Sequence, residues 1–136
     1  MSISKFGVVG TGTMGNGIAQ VAGQTGLDIV AVDIKQDFLD HARATIEKNL
    51  ARMVKKEKMT QDQADAAVAK ITFTTDYDAL KDCELIVEAA TENPDIKFKI
   101  FKQLDELTDD SVILASNTST ISITEIAAHT SRPDKV

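Results

Sequence analysis

Short apolar runs and longer stretches with an apolar residue every three or four positions follow one another along this chain. Phe6, Val8 and Val9 read as a short strand, and Met14, Ile18, Val21 and Ala22 then recur at helical spacing. Gly26 ends that helix, and Leu27 to Val32 (LDIVAV) reads as a second strand. From Gln36 onward, Leu39, Ala42, Ile46, Leu50 and Met53 describe one long amphipathic helix to about Glu57. Thr60 starts another helix, with Gln63 three residues on as its capping-box partner and Ala64, Ala67 and Val68 as its apolar side. A helical hairpin standing out from the sheet is therefore expected between the second and third strands. Ile71 to Thr74 make the third strand, Asp76 to Lys81 a turn or short helix, and Leu85 to Val87 the fourth strand. Asn93 as N-cap and Pro94 at the first helical position open a helix with Ile96, Ile100, Phe101, Leu104 and Leu107 on one side. Val112 to Ala115 form a fifth strand, Thr124 to His129 a short helix, and Arg132 to Val136 head toward a further strand. Strands alternating with helices predict an α/β fold with a doubly wound, mainly parallel sheet.

Glycine placement sharpens that picture. Gly10, Gly12 and Gly15 stand at G-x-G-x-x-G spacing between the first strand and the first helix, the context in which the motif carries meaning. Gly10 lets the chain turn sharply, Gly12 lets a pyrophosphate approach the backbone, and Gly15 lets the helix pack close to the strand. The helix start then offers unpaired N–H groups to an anion. Asp33 ends the second strand 18 positions after Gly15, where a carboxylate accepts hydrogen bonds from the adenosine ribose hydroxyls. A plainer role, capping the next helix, stays open for it. These residues predict a Rossmann-type dinucleotide fold. A 2′-phosphate would meet the like charge of Asp33, which favours NAD over NADP, although Lys35 is near enough to offset part of that repulsion.

Charge and composition narrow the partners. The 136 residues carry a net charge of −6, which argues against nucleic acid, and no apolar run approaches the length of a membrane span. We expect one domain over residues 1–136, with no room for a leader before the first strand, and a cytoplasmic setting. The single Cys83 excludes an internal disulfide and reads as core packing.

Two further stretches are candidates for chemistry. The fourth strand continues into Glu88-Ala-Ala-Thr-Glu-Asn93, bordering the crevice where strand order reverses, and the small Ala89 and Ala90 leave room there for a nicotinamide ribose. The fifth strand ends in Ser116-Asn-Thr-Ser-Thr120, readable either as turn chemistry or as part of a site on the same sheet edge. Lys48, Arg52, Lys55 and Lys56 share one face of the long helix, and Glu47 to Lys58 holds five basic residues against two acidic ones. A solvated helix face and a polyanionic ligand both fit that stripe. His41 and His129, the only histidines, are expected at the surface.

Taken together, GTGTMGNGIAQ (Gly10 to Gln20), Asp33, VEAATEN (Val87 to Asn93), LASNTSTISITEIA (Leu114 to Ala127) and RPDKV (Arg132 to Val136) resemble the N-terminal half of the 3-hydroxyacyl-CoA dehydrogenase family, short-chain 3-hydroxybutyryl-CoA type. The resemblance runs the length of the chain. It implies an NAD-dependent oxidoreductase of fatty-acid or butanoate metabolism, interconverting 3-hydroxyacyl-CoA and 3-oxoacyl-CoA. It further implies cofactor contacts from Gly10, Gly12, Thr13, Met14, Gly15, Asp33, Ile34, Ala89, Glu92, Lys97 and Asn117. Ser119, with Asn117, would be the catalytic contribution of this half, Ser119 bonding the substrate's 3-oxygen, and Lys55 and Lys56 would help to hold CoA. Thr120 stands where relatives often carry a second serine. The family's catalytic histidine, its partner glutamate, a further asparagine and a helical dimerisation domain lie beyond the RPDKV segment. The resemblance thus implies a homo-oligomer when full-length, and a catalytically incomplete piece over these residues alone. The alternative from another class is a free-standing dinucleotide-binding or redox-sensing module. A third reading, another dehydrogenase family on the same fold, predicts no CoA affinity.

Overall fold

The computed structural model describes residues 2–136. Five strands, β1 (Lys5–Val9), β2 (Asp28–Val32), β3 (Ile71–Thr74), β4 (Leu85–Glu88) and β5 (Ile113–Ser116), form one sheet in the order β3-β2-β1-β4-β5. Every pairing is parallel. The chain therefore winds outward in both directions from β1, and the reversal lies between β1 and β4. Helices α1 (Thr13–Gln24), α2 (Gln36–Lys55), α3 (Gln61–Ala69), α4 (Pro94–Leu107) and α5 (Ile123–Ala127) cover the faces. Alternate residues of each strand enter different cores, as the pleat requires. Val8, Ile29, Ala31 and Ile71 meet α1, α2 and α3 on one side, whereas Val9, Val32, Ile86 and Leu114 meet α4 and α5 on the other.

The hairpin between β2 and β3 is present. Its first arm closes with Glu57 in the left-handed region (φ 59°) and with Lys58 N–H donating to the Met53 carbonyl at 2.9 Å, the ring that ends many helices. Its second arm starts with both halves of a capping box: Gln63 N–H to Thr60 Oγ1 (3.1 Å) and Thr60 N–H to Gln63 Oε1 (2.9 Å). We expect Thr60→Ala to cost about 1 kcal/mol in urea unfolding, since it removes only this cap. The hairpin does not stand free, however. Ala64 and Ala67 are buried against the sheet, and α1 approaches α3 so closely that a Cβ on Gly23 would lie 2.9 Å from the Ala67 carbonyl oxygen.

Two features lie beyond the sequence pattern. The inner face of α1 is Gly15, Asn16, Ala19 and Gly23, while Met14 and Val21 are exposed. Close backbone packing selected small residues for the inside, so the larger apolar side chains point out. The segment after Arg132 is a 3-10 turn, Pro133–Lys135. Arg132 itself is buried, and its guanidinium donates to the carbonyls of Asp105, Thr108, Asp109 and Val112 and to the Asp105 carboxylate. Those acceptors lie at the end of α4, where carbonyls lack an intrahelical partner, and in the turn before β5.

Candidate functional site: a dinucleotide crevice and two bordering loops

The C-terminal ends of β1, β2 and β4 open onto a cavity of about 480 Å³ lined by Gly10, Gly12, Asp33, Phe38, Tyr77 and Ala90, among others. Gly10 has φ +94°, and a Cβ there would meet the backbone of Ala89 and Ala90, so only glycine makes this turn. A Cβ on Gly15 would collide with the Gly10 carbonyl oxygen. Gly12, by contrast, has nothing within 4 Å of where its Cβ would stand. That open space faces the start of α1, which no side chain caps and whose first turn holds no acidic residue. Helix α4 differs, because Asn93 Oδ1 accepts from Asp95 N–H at 3.0 Å and Ile96 N–H at 3.3 Å. The first-turn donors of α1 are left for an anionic ligand.

Asp33 does not cap α2. Its Oδ2 accepts from the N–H and the hydroxyl of Thr11, both at 2.8 Å, and Oδ1 accepts from Ile34 N–H at 2.8 Å. A carboxylate has about four acceptor positions, so Asp33 is fixed to the glycine loop and still retains capacity for a ribose hydroxyl. Lys35 leans over the Phe38 ring, 5.6 Å from its centroid. Burial, then the charges of Asp33 and Glu88, push the Tyr77 hydroxyl above its usual pKa.

At the end of β4, Glu88 is fully buried and paired with the fully buried Lys97 of α4. The Glu92 carboxylate, further along that loop, accepts from the hydroxyls of Thr118 and Thr120, each at 2.9 Å, and these bonds lower its pKa. The 116–120 loop is thereby clamped beside the 89–93 loop. Asn117 and Ser119 are exposed, and among the described residues neither side chain has a hydrogen-bond partner.

A glycine turn, an uncapped helix start and a strand-end carboxylate that keeps acceptor capacity fit a dinucleotide. The family model described as "3-hydroxyacyl-CoA dehydrogenase, NAD binding domain" matches residues 5–136. The chain belongs to this family. It is 50% identical over 129 residues to a probable 3-hydroxybutyryl-CoA dehydrogenase of Deinococcus radiodurans, covering 95% of this chain and 46% of that protein. It is 44% identical over 133 residues to the 3-hydroxybutyryl-CoA dehydrogenase of Bradyrhizobium diazoefficiens, covering 98% and 45% respectively. Among solved structures, the (S)-3-hydroxybutyryl-CoA dehydrogenase of Ralstonia eutropha superposes with a TM-score of 0.96 at 50% identity, over 98% of this chain and 47% of that one. The chain spans about half the length of these relatives.

Within this NAD-binding domain, Gly10, Gly12, Asp33 and Ile34 line the cavity, with Gly15 packed behind the loop. Ala89 is half-buried, and its N–H donates to the Val9 carbonyl at 2.8 Å. Thr13 and Met14 belong to a separate apolar groove along the outer side of α1. Lys97 departs from expectation: its side chain is fully buried and its ammonium bonds Glu88 and Ser116 instead of facing the crevice. A desolvated ammonium keeps its charge only with such partners. Lys55 and Lys56 are exposed at the end of α2, outside the cavity lining. His129 is exposed, stacked on Phe98 with ring centroids 4.0 Å apart. His41, expected only at the surface, lines the cavity near Asp33. Cys83 is buried, which pushes its thiol up to about 11 and fits the packing role.

Sequence reasoning missed Thr11, which anchors Asp33, and Tyr77 and Phe38, which wall the cavity. It also missed Glu88, readable only as the end of an apolar strand. No local pattern marks any of the four, and Thr11 and Glu88 bond partners distant in sequence.

Proposed function

We propose that these residues form the NAD-binding half of the active site of an oxidoreductase that interconverts 3-hydroxyacyl-CoA and 3-oxoacyl-CoA, with 3-hydroxybutyryl-CoA the substrate that the relatives' names suggest. The observation that carries this reading is the 116–120 loop, clamped by Glu92 on the crevice side of the sheet, with the Asn117 and Ser119 side chains unpartnered among the described residues. A sensor module needs the glycine loop and Asp33 but has no use for a second, ordered polar loop. NAD, when bound, supplies the hydride acceptor for C3 of the substrate. Ser119 donates to the substrate's C3 oxygen and fixes its orientation, while Asn117 and Glu92 contact the nicotinamide half. The hydroxyl proton requires a base. His129 is held by Phe98 and the Glu125 carbonyl, and His41 lies on the adenosine side. Turnover by these residues alone is therefore expected to fall short by roughly the 10²–10⁴ that a general base contributes.

Lys48, Arg52, Lys55 and Lys56 attract the CoA phosphates in this reading. Calorimetry with acetoacetyl-CoA in the presence of NADH tests it. Binding should weaken with rising salt, whose Debye length is about 10 Å at 0.1 M, and should weaken in Lys55→Glu/Lys56→Glu. NADH binding without any acetoacetyl-CoA binding would return the chain to a dinucleotide module.

A further inference from the structure

Glu88 and Lys97 are a buried ion pair to which the proposed chemistry gives no direct task. Both are 0% exposed. Burying two charges costs several kcal/mol per ion before their attraction is counted, and a well-packed apolar pair often does as well for stability. What an apolar pair cannot do is hydrogen-bond, and the bonds here reach the two loops that border the crevice. Glu88 Oε2 accepts from Ala90 N–H at 2.8 Å and Thr91 N–H at 3.3 Å, which shapes the 89–93 loop. Its Oε1 accepts from Lys97 Nζ and, at 3.0 Å, from the Ser116 hydroxyl. Ser116 Oγ in turn accepts from Lys97 Nζ at 3.0 Å and from Thr118 N–H at 3.3 Å. The Glu88 carbonyl accepts from Asn117 N–H at 3.3 Å. One carboxylate and one ammonium, reached from β4, α4 and β5, thus tie together the two loops that carry Glu92 on one side and Asn117 and Ser119 on the other.

We infer that Glu88, Lys97 and Ser116 are positioning residues that lock the 89–93 and 116–120 loops into one surface for the nicotinamide half of the cofactor. The inference rests on the function proposed above. The hub lies beneath one half of the crevice only. Gly12 and Asp33 have no bond to it, so the adenosine half should not sense its loss.

ADP, which keeps the adenosine and the pyrophosphate of NADH but lacks the nicotinamide and its ribose, separates the two halves. Ser116→Ala unhooks Thr118 and leaves Glu88 and Lys97 bonded to each other, and a thermal melt checks that the fold is kept. NADH should bind about tenfold more weakly, the scale of one charge-assisted hydrogen bond, while ADP changes by less than about threefold. Ser116→Thr keeps the hydroxyl and should restore NADH binding. Glu88→Gln/Lys97→Met, which removes both charges together, should move the two ligands apart in the same sense. NADH affinity unchanged in Ser116→Ala, or NADH and ADP weakened alike, would overturn the positioning role. A wild-type chain that binds neither ligand would remove the dinucleotide reading, and the positioning role with it.

Discussion

Gly12→Ala and Gly15→Ala should both lose NADH binding, but for different reasons that a stability measurement separates. A methyl on Gly15 has to displace the Gly10 carbonyl, part of the turn itself. Overpacking of this kind costs typically about 1–3 kcal/mol, and α1 must shift off the sheet. We expect a lower melting temperature together with a loss of affinity of about a hundredfold, the scale associated with a 1 Å misplacement of a positioned group. Gly12 has φ −66° and ψ −166°, open to any residue, and empty space over its Cβ. Its alanine variant should keep wild-type stability within about 0.5 kcal/mol and still lose affinity, because the methyl occupies the pyrophosphate's approach. If Gly12→Ala binds NADH normally, the phosphates do not lie over that loop.

Arg132→Met should have the largest effect on stability of any single exposed-to-apolar or charge-removing change near the end of this chain. The guanidinium makes bonds of 2.8–3.1 Å to Asp105, Thr108 and Val112, as well as one to the Asp109 carbonyl. Removing one partner of a buried charged pair costs about 3–5 kcal/mol, and the carbonyls of Asp105, Thr108 and Val112 each lose a charged donor. The pH dependence provides a second readout. Burial works to raise the Asp105 carboxyl, but hydrogen bonds from the Ser131 N–H, Arg132 and the Ser131 hydroxyl outweigh it, so the folded-state pKa lies below 3.8. A depressed carboxyl contributes stability that is complete above its unfolded value and lost as pH falls through the folded one. The wild type should therefore lose stability below about pH 4, and Arg132→Met should lose less over that range because part of the contribution is already gone. Urea titrations at pH 7 and at pH 3.5 measure both. A wild-type-like midpoint for the variant at pH 7 would contradict the clamp.

Much of the fold was legible because hydrophobic period and glycine position are local signals. The third strand, the helical hairpin and the Thr60–Gln63 capping box were read directly from spacing. The helical spacing of Met14, Ile18 and Val21 marks α1 as a helix but not its inner face. Here the demand for close approach put Gly15, Ala19 and Gly23 inside. In the crevice, the motif residues Gly10, Gly12 and Asp33 were visible in the sequence, whereas the residues that hold them were not. Thr11 is bound to Asp33 across 22 positions, and Ser116 to Glu88 across 28. Such pairings are created by the parallel register of the strands and leave no trace in either segment alone. Lys97 shows the same limit from the other side. The resemblance implies a cofactor contact for Lys97, and the pairing with Glu88 buries its side chain.

The central claim is that Asp33, held by Thr11 at the end of β2, receives the adenosine ribose and so sets the cofactor. Titrating wild type and Asp33→Asn with NADH and NADPH, followed by nicotinamide fluorescence, tests it most directly. A charged hydrogen-bonded contact of about 1.5–3 kcal/mol corresponds to roughly a tenfold to hundredfold difference. The wild type should prefer NADH by that margin, and Asp33→Asn, which keeps an acceptor for Thr11 but lacks the charge that repels a 2′-phosphate, should narrow it. Equal affinity for NADH and NADPH in the wild type, unchanged by the substitution, would contradict the account.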